Sequence, residues 1–250
     1  MNNPEVRNKF GEKIDTLVEG KMDADTTVVF VHGNGTDKNE GGNLFVDIAN
    51  GLADKFRIVR FDFTGFGKSE GKQEDVDFKK EAGDLESVLD YVRQNFPGKI
   101  NIIAHSMGTT VTSMLLPEGI NDVVYTGISG TDRFADIERT QRKIISRGGV
   151  VDEGGISLYP RTAGGVQKVG PSFWKIRREF DYVKALREYV YRTNLVVFKP
   201  MQDDVVGNDG FEEYKNIKGM KHVELNGSHG FSNPQDRQEL IRRIKEFFSN

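Results

Sequence analysis

The sequence predicts an α/β protein with a mostly parallel, twisted sheet flanked by helices. Short apolar runs alternate with longer amphipathic stretches, and the runs are rich in valine and isoleucine. Such runs are typical of strands that are buried on both faces by covering helices. The predicted strands are Thr27–Val31, Arg57–Phe61, Ile100–Ala104, Val123–Ile128, Leu195–Phe198 and His222–Leu225.

Between these strands, apolar residues recur at the spacing typical of amphipathic helices. The predicted helices are Leu44–Phe56, Asp77–Phe96, Thr109–Leu116 and Asp236–Phe248. Pro97 and Gly98 end the second of them. The opening segment, Lys9–Lys21, indicates a β-hairpin ahead of the parallel strands.

Composition excludes several classes of protein. The chain has 250 residues, of which 36% are hydrophobic and 29% charged, as in globular proteins. A net charge of −3 argues against a general nucleic-acid binder. No apolar stretch reaches about 18 residues, so we expect no stable membrane insertion. The first 19 residues lack a secretory signal, so the expected location is cytoplasmic.

One long segment departs from the alternation of strands and helices. Residues 131–192 contain three Gly-Gly pairs and the single tryptophan, and are predicted to have little regular structure. We interpret them as a lid or cap inserted into a core of residues 1–130 and 193–250. The segment has 13 basic and 8 acidic residues, a net charge of +5. This charge favours either attraction of anionic or phenolate substrates or a merely solvated face.

A serine is predicted at the turn between a strand and a helix. Ala104-His105-Ser106-Met107-Gly108 follows an apolar strand and precedes a helical stretch. Small residues two before and two after the serine permit a strained turn that exposes its hydroxyl. The helix N-terminus favours negative charge, so the Met107 N–H is a candidate oxyanion donor.

Two glycine-rich loops follow earlier strands. His32-Gly33-Asn34-Gly35 offers the Asn34 N–H as the second oxyanion donor, with His32 predicted to bond loop backbone. The loop 62–71 lacks the spacing of a phosphate-binding loop or a dinucleotide turn. We predict that it is structural, with a minor role in lining the site.

A general base and its acid are expected in loops near the C-terminus. Of the four histidines, His229 lies in a glycine-rich loop between the last strand and the last helix. Asp203 and Asp204 follow the preceding strand, and either could orient the imidazole; we favour Asp203. The predicted catalytic order is Ser106, Asp203, His229.

These stretches resemble the α/β-hydrolase family over about residues 10–130 and 194–248. Asp62-x-x-Gly65-x-Gly67-x-Ser69-x-Gly71 is similar to that family's loop after its second parallel strand, and Asp203-Asp204-Val205-Val206 to its acid loop. The chain looks most like bacterial carboxylesterases of the feruloyl/cinnamoyl-esterase type, on the stretches Ile48–Leu52 and Val59–Phe63.

The resemblance implies the α/β-hydrolase fold and a serine carboxylic ester hydrolase. Its substrate would be a small-molecule ester with a small acyl or aryl group, hydroxycinnamoyl among them, and no metal or organic cofactor would be needed. Candidate pocket residues are Tyr159 and Trp174, although both could simply pack the lid. Monoacylglycerol lipase, thioesterase, acyl-peptide hydrolase and a non-catalytic ligand-binding protein remain open, as do a monomer and a homodimer.

Overall fold

A computed structural model of the chain describes residues 2–162, 164–207 and 211–249. The parts of the predicted ranges at Met1, Ala163, 208–210 and Asn250 lie outside the described residues. The strands are β1 (Glu5–Arg7), β2 (Lys13–Gly20), β3 (Thr26–Val31), β4 (Arg57–Phe61), β5 (Lys99–His105), β6 (Asp122–Thr126), β7 (Ser157–Pro160), β8 (Val166–Val169), β9 (Asn194–Pro200) and β10 (Lys221–Leu225). The helices are α1 (Leu44–Leu52), α2 (Phe78–Asn95), α3 (Met107–Leu115), α4 (Arg133–Ser146), α5 (Pro171–Glu179), α6 (Tyr182–Tyr189), α7 (Phe211–Lys215) and α8 (Pro234–Phe247).

Eight strands form the central sheet in the order β1-β2-β4-β3-β5-β6-β9-β10. The six strands from β4 to β10 in this order are parallel, and β1 and β2 add an antiparallel edge. All six predicted parallel strands are therefore confirmed, with ends shifted by one or two residues at most. A hairpin does precede them, but the predicted range Lys9–Lys21 is wrong for its first strand, because β1 ends at Arg7 and only β2 lies within that range. Since parallel strands end at the same edge, the loops after β3, β5, β9 and β10 meet there.

Alternate residues of the strands fill two separate cores. In β3, Val29 and Val31 belong to the core on one face of the sheet, whereas Val28 and Phe30 belong to the other. The second core is closed by α1 and α8, whose apolar stripes include Ile48 and Leu240. Helices on both faces explain why the strands read as continuous apolar runs.

The segment 131–192, which we call the insertion, connects β6 to its parallel neighbour β9. The prediction of little regular structure is wrong, because the insertion contains α4, α5, α6 and a separate β7–β8 hairpin. Gly148 ends α4 at φ 75°, and Gly165 turns the hairpin at φ 76°. These glycines end a helix and form a turn, because glycine adopts left-handed conformations at low energetic cost. They therefore mark the ends of regular elements and do not prevent those elements from forming.

The insertion shares its apolar core with the main sheet. Trp174, Ile144 and Leu186 are buried in the same cluster as Met107 and residues of the sheet. Across this boundary the rings of Phe78 and Phe173 pack edge to face with centroids 5.5 Å apart. In the part of the chain that the structure describes, no helix has the length and apolarity needed to cross a membrane.

Candidate active site

Ser106 occupies the turn between β5 and α3 in a strained conformation. Its φ is 52° and its ψ is −124°, a region that L-residues other than glycine seldom adopt. The Ser106 N–H donates to the Thr126 carbonyl of the neighbouring strand over 2.9 Å. This bond holds the turn at the carboxyl edge of the sheet, where the side chain lines a cavity.

The residues that flank the turn are small for steric reasons. A Cβ at Gly108 would lie 2.3 Å from the main-chain oxygen of Val31, so α3 could not approach β3 this closely with any other residue there. Ala104 is fully buried in the same core. The need for small residues two before and two after Ser106, which the sequence analysis predicts, therefore agrees with the tight packing at Gly108 and the complete burial of Ala104.

Asp203 and His229 form a hydrogen-bonded pair. The His229 Nδ1–H donates to Asp203 Oδ2 over 2.8 Å. The other carboxylate oxygen, Oδ1, accepts from the N–H groups of Val205 and Val206 at 2.9 and 3.0 Å. Burial alone would raise the pKa of Asp203, but the bonds from His229 and the two amides hold this pKa below its ordinary value. Asp204 lines the cavity instead.

The His229 ring lies beside the serine turn. It packs against His105, the residue before Ser106, with ring centroids 4.6 Å apart and the ring planes tilted by 53°. A Cβ at Gly127, the residue after Thr126, would lie 2.8 Å from His229 Cε1. Because Asp203 occupies Nδ1, the Nε2 atom of His229 is the nitrogen that remains for proton transfer in the cavity.

His105 is fully buried under this pair. Burial and the neighbouring His229 place the pKa of His105 well below its ordinary value, so its imidazole is neutral. A neutral ring adds no charge to the centre and serves as a packing partner for His229. Sequence reasoning recognised His105 only as a residue within the serine motif.

The loop after β3, residues 32–36, packs directly on the serine; we call it the oxyanion loop because it contains the predicted donor Asn34. A Cβ at Gly33 would lie 3.1 Å from the Cβ of Ser106. The Gly33 N–H donates to Glu40 Oε2 over 2.6 Å, which fixes the loop just before Asn34. Met107 is the first residue of α3, so its N–H has no acceptor within the helix. The two predicted oxyanion donors thus belong to segments in contact at Ser106.

Two residues of the insertion hold Asn34 from the other side. Gln167 Nε2 donates to Asn34 Oδ1 over 2.7 Å, and an Arg161 guanidinium N–H donates to the Asn34 carbonyl over 2.5 Å. Sequence reasoning missed Glu40, Arg161 and Gln167. No local motif marks them, since each acts across a long separation or through a turn that only the fold creates.

His32 and the loop 62–71 are structural. His32 Nε2 accepts from the Phe63 N–H over 3.0 Å, so its Nδ1 carries the proton and bonds the Gly33 carbonyl at 2.8 Å. Asp62 accepts from the Lys38 and Lys68 amides. The predicted structural roles are confirmed. The expected minor lining role of the loop is wrong, because the described residues that line the cavity include none from 62–71.

The cavity above Ser106 has a volume of about 730 Å³ and is bounded by the core and the insertion. Of the two candidate pocket residues, Tyr159 lines the cavity, together with Phe173 and Tyr182. Trp174 does not line the cavity: it is 1% exposed, and its indole N–H donates to Ser157 Oγ over 3.1 Å. It packs the insertion instead. Within the described ranges, no cluster of three or more acidic or histidine side chains is arranged to hold a metal ion.

The sheet order and the flanking helices give the chain the α/β-hydrolase fold. A family model described as alpha/beta hydrolase fold matches residues 26–146. Among solved structures, the esterase domain of a Rhodothermus marinus protein is 18% identical with a TM-score of 0.72, covering 97% of this chain and 95% of that one. Est1E from Butyrivibrio proteoclasticus, solved with ferulic acid bound, is 16% identical with a TM-score of 0.73, covering 99% of this chain and 100% of that one.

The chain is also similar to a curated protein of a virus. An uncharacterized protein of Acanthamoeba polyphaga mimivirus, R595, is 20% identical over 251 residues, which cover 95% of this chain and 77% of the relative. Together these matches confirm the predicted α/β-hydrolase fold and the resemblance to proteins of that fold, esterases among them.

Proposed function

We propose that the protein is a serine esterase that hydrolyses carboxylic esters of small acyl or aryl groups through an acyl-enzyme on Ser106. The observation that carries this proposal is the 2.8 Å bond between the buried Asp203 and His229, because His229 lines the same cavity as Ser106, which lies on a strained turn. A hydrogen-bonded base and acid near a hydroxyl that lines the same cavity are the parts required for nucleophilic acyl transfer.

In the proposed reaction, His229 Nε2 takes the proton of the Ser106 hydroxyl as its Oγ attacks the ester carbonyl. Asp203 fixes the imidazole tautomer and stabilises the imidazolium that forms. The N–H groups of Asn34 and Met107 hold the oxyanion, each contributing about 3 kcal/mol to lowering the barrier. His229 then gives the proton to the leaving alcohol, and a water molecule repeats the sequence on the acyl-enzyme.

The insertion acts as the lid in this proposal. Its aromatic residues Tyr159, Phe173 and Tyr182 supply apolar walls for the acyl or aryl group. The similarity to Est1E, solved with ferulic acid bound, favours including hydroxycinnamoyl esters among the substrates to be tested.

Labelling with a fluorophosphonate tests the nucleophile. We expect the wild-type protein to be labelled and Ser106→Ala not to be. Ser129→Ala and Ser232→Ala are matched controls, because both serines line the same cavity and should leave labelling intact. Equal labelling of Ser106→Ala, or none of the wild type, would support a non-catalytic binding protein.

A substrate panel tests the reaction class. It contains 4-nitrophenyl esters of increasing chain length, methyl ferulate, a monoacylglycerol, an acyl-CoA and a peptide anilide. The proposal requires the highest kcat/KM for a short acyl or aryl ester. Preference for the monoacylglycerol, the thioester or the anilide would reassign the site to the corresponding hydrolase.

A further inference from the structure

Three basic side chains of the insertion line the cavity without an acidic partner. They are Lys143 on α4, Arg147 just after it, and Arg161 at the turn of the β7–β8 hairpin; we call them the cationic cluster. Within residues 2–162, 164–207 and 211–249, none of the three forms an ion pair within 4.0 Å. Of the other cations that line the cavity, Arg139 and Arg177 pair with Asp136, and Arg237 pairs with Asp47 at 2.6 Å. Arg133 lies over the Phe134 ring and has no ion pair among the described residues.

The cluster is built on a rigid support. The Tyr159 ring contacts two of its members, with its centroid 4.5 Å from Arg161 Cζ and 5.8 Å from Arg147 Cζ. Arg147 also donates to the Pro160 carbonyl over 3.3 Å. Stacking and main-chain bonds therefore hold both guanidinium groups while leaving further N–H donors of each available for a ligand.

The cluster is also close to the reacting centre. Arg161 bonds the carbonyl of Asn34, and a Cβ at Gly35 would lie 2.5 Å from Arg161 Cζ. Gly33, two residues earlier, contacts Ser106 in the same loop. Two residues of chain span at most about 7 Å, so Arg161 and the serine are separated by a short stretch of the oxyanion loop.

Like charges are held together here at an energetic cost. Burial and the proximity of Arg147 and Arg161 lower the pKa of Lys143, although Asp204 and Asp203 act in the opposite direction. Burial also lowers the pKa of Arg161, with Tyr159 and Glu40 opposing and Arg147 adding to the effect. An anion bound among the three would relieve this repulsion and satisfy their open donors.

We propose that the substrate is an ester carrying a second, anionic group, which the cationic cluster of Lys143, Arg147 and Arg161 binds while Ser106 attacks the ester carbonyl. This inference rests on the proposed esterase function and narrows its substrate class. The shared chemistry is a carboxylate near the ester, placed either on the acyl chain or on the alcohol.

Paired esters distinguish the two placements. For the acyl side, 4-nitrophenyl hydrogen glutarate is compared with its neutral methyl ester, and succinate and adipate analogues test the spacing. For the alcohol side, 4-carboxyphenyl butyrate is compared with its neutral methyl ester. We expect kcat/KM to favour the anionic member of one pair by about tenfold, as for one charge-assisted hydrogen bond. This preference should fall as salt is added.

Substitutions test whether the cationic cluster causes the preference for anionic esters. Lys143→Gln and Arg147→Gln should each reduce the ratio of anionic to neutral kcat/KM to near unity. Arg142→Gln is the matched control, because Arg142 is an exposed cation on the same helix that does not line the cavity. Equal rates for both members of each pair in the wild type, or the same ratio in Lys143→Gln and Arg142→Gln, would overturn the proposal.

Binding provides a readout that does not depend on hydrolysis. Calorimetry with glutarate on the Ser106→Ala protein should give a Kd that weakens about tenfold on adding Lys143→Gln and is unchanged on adding Arg142→Gln. Absence of esterase activity and of Ser106 labelling would defeat the proposed function, while glutarate binding at the cluster would persist. Absence of glutarate binding together with hydrolysis of neutral esters would defeat only the anionic-substrate proposal.

Discussion

Asp203 and His229 are joined across the loops that follow β9 and β10, with a carboxylate oxygen 2.8 Å from the imidazole Nδ1. The adjacent carboxylate, Asp204, lines the cavity without taking this position. The difference arises because the two amides of Val205 and Val206 turn the Asp203 side chain inward and hold it there.

The pair leads to a prediction for the two aspartates. Asp203→Asn should lower kcat by about 10³- to 10⁴-fold, because an amide at this position favours the wrong imidazole tautomer. Asp204→Asn, the neighbouring control, should lose less than about tenfold. Steady-state kinetics with a neutral 4-nitrophenyl ester measures both, and a larger loss for Asp204→Asn would exchange the two roles.

A second prediction concerns the close approach of α3 to β3. Gly108→Ala should lower the free energy of unfolding by about 3 kcal/mol, because the added Cβ meets the Val31 carbonyl and the backbone must shift. Gly154→Ala is the matched control, since the nearest atom to its Cβ would be 3.8 Å away. Urea denaturation followed by circular dichroism compares them, and equal stabilities would contradict the packing argument.

A third prediction concerns Glu81, which is buried in α2 with one carboxylate oxygen unpartnered among the described residues. Burial, with Asp84 and Asp77 nearby, raises its pKa well above the ordinary value. The folded state therefore retains this proton to higher pH than the unfolded chain does. Its contribution to stability is complete below the unfolded pKa and declines as the pH rises toward the folded pKa.

Glu81→Gln removes this ionisation, so the variant should become more stable relative to the wild type as the pH increases from 5 to 8. The Tm of both proteins measured across this range tests the expectation. Glu86→Gln on the same helix is the control, because its side chain is 40% exposed and pairs with Arg93 at the surface. A constant difference between Glu81→Gln and wild type at every pH would contradict the assignment.

The last prediction concerns the bond between the insertion and the oxyanion loop. Gln167→Leu removes the donor to Asn34 Oδ1 and leaves that oxygen unpaired, which costs about 1–3 kcal/mol. We expect kcat to fall about tenfold as the loop loses its fixed position, and amide exchange in β7 and β8 to become faster. Lys168 is an exposed neighbour on the same strand, so Lys168→Gln should change neither kcat nor the exchange rates. Equal losses in both variants would mean that the effect comes from a general disturbance of the hairpin and not from the lost bond to Asn34.

The fold was accessible from sequence because its signals are local. Apolar runs of strand length, helical spacing and the glycines of the turns each depend on neighbouring residues, and they predicted six parallel strands and their order along the chain. The insertion was predicted poorly because its helices are densely charged and the Gly-Gly pairs interrupt the stretch between α4 and α5. Some of its buried residues, Phe173 among them, find partners such as Phe78 in the main core rather than nearby in sequence.

For the site, sequence by itself determined the residue types: a serine between small residues, a histidine in a flexible loop and two adjacent aspartates. Tertiary structure decided which aspartate meets His229, because the choice depends on how two loops turn after separate strands. It also decided that Arg161 and Gln167 hold Asn34, and that Lys143, Arg147 and Arg161 come together on the wall of the cavity. Contacts between groups more than a hundred residues apart are set by the packing of whole elements, which no local pattern encodes.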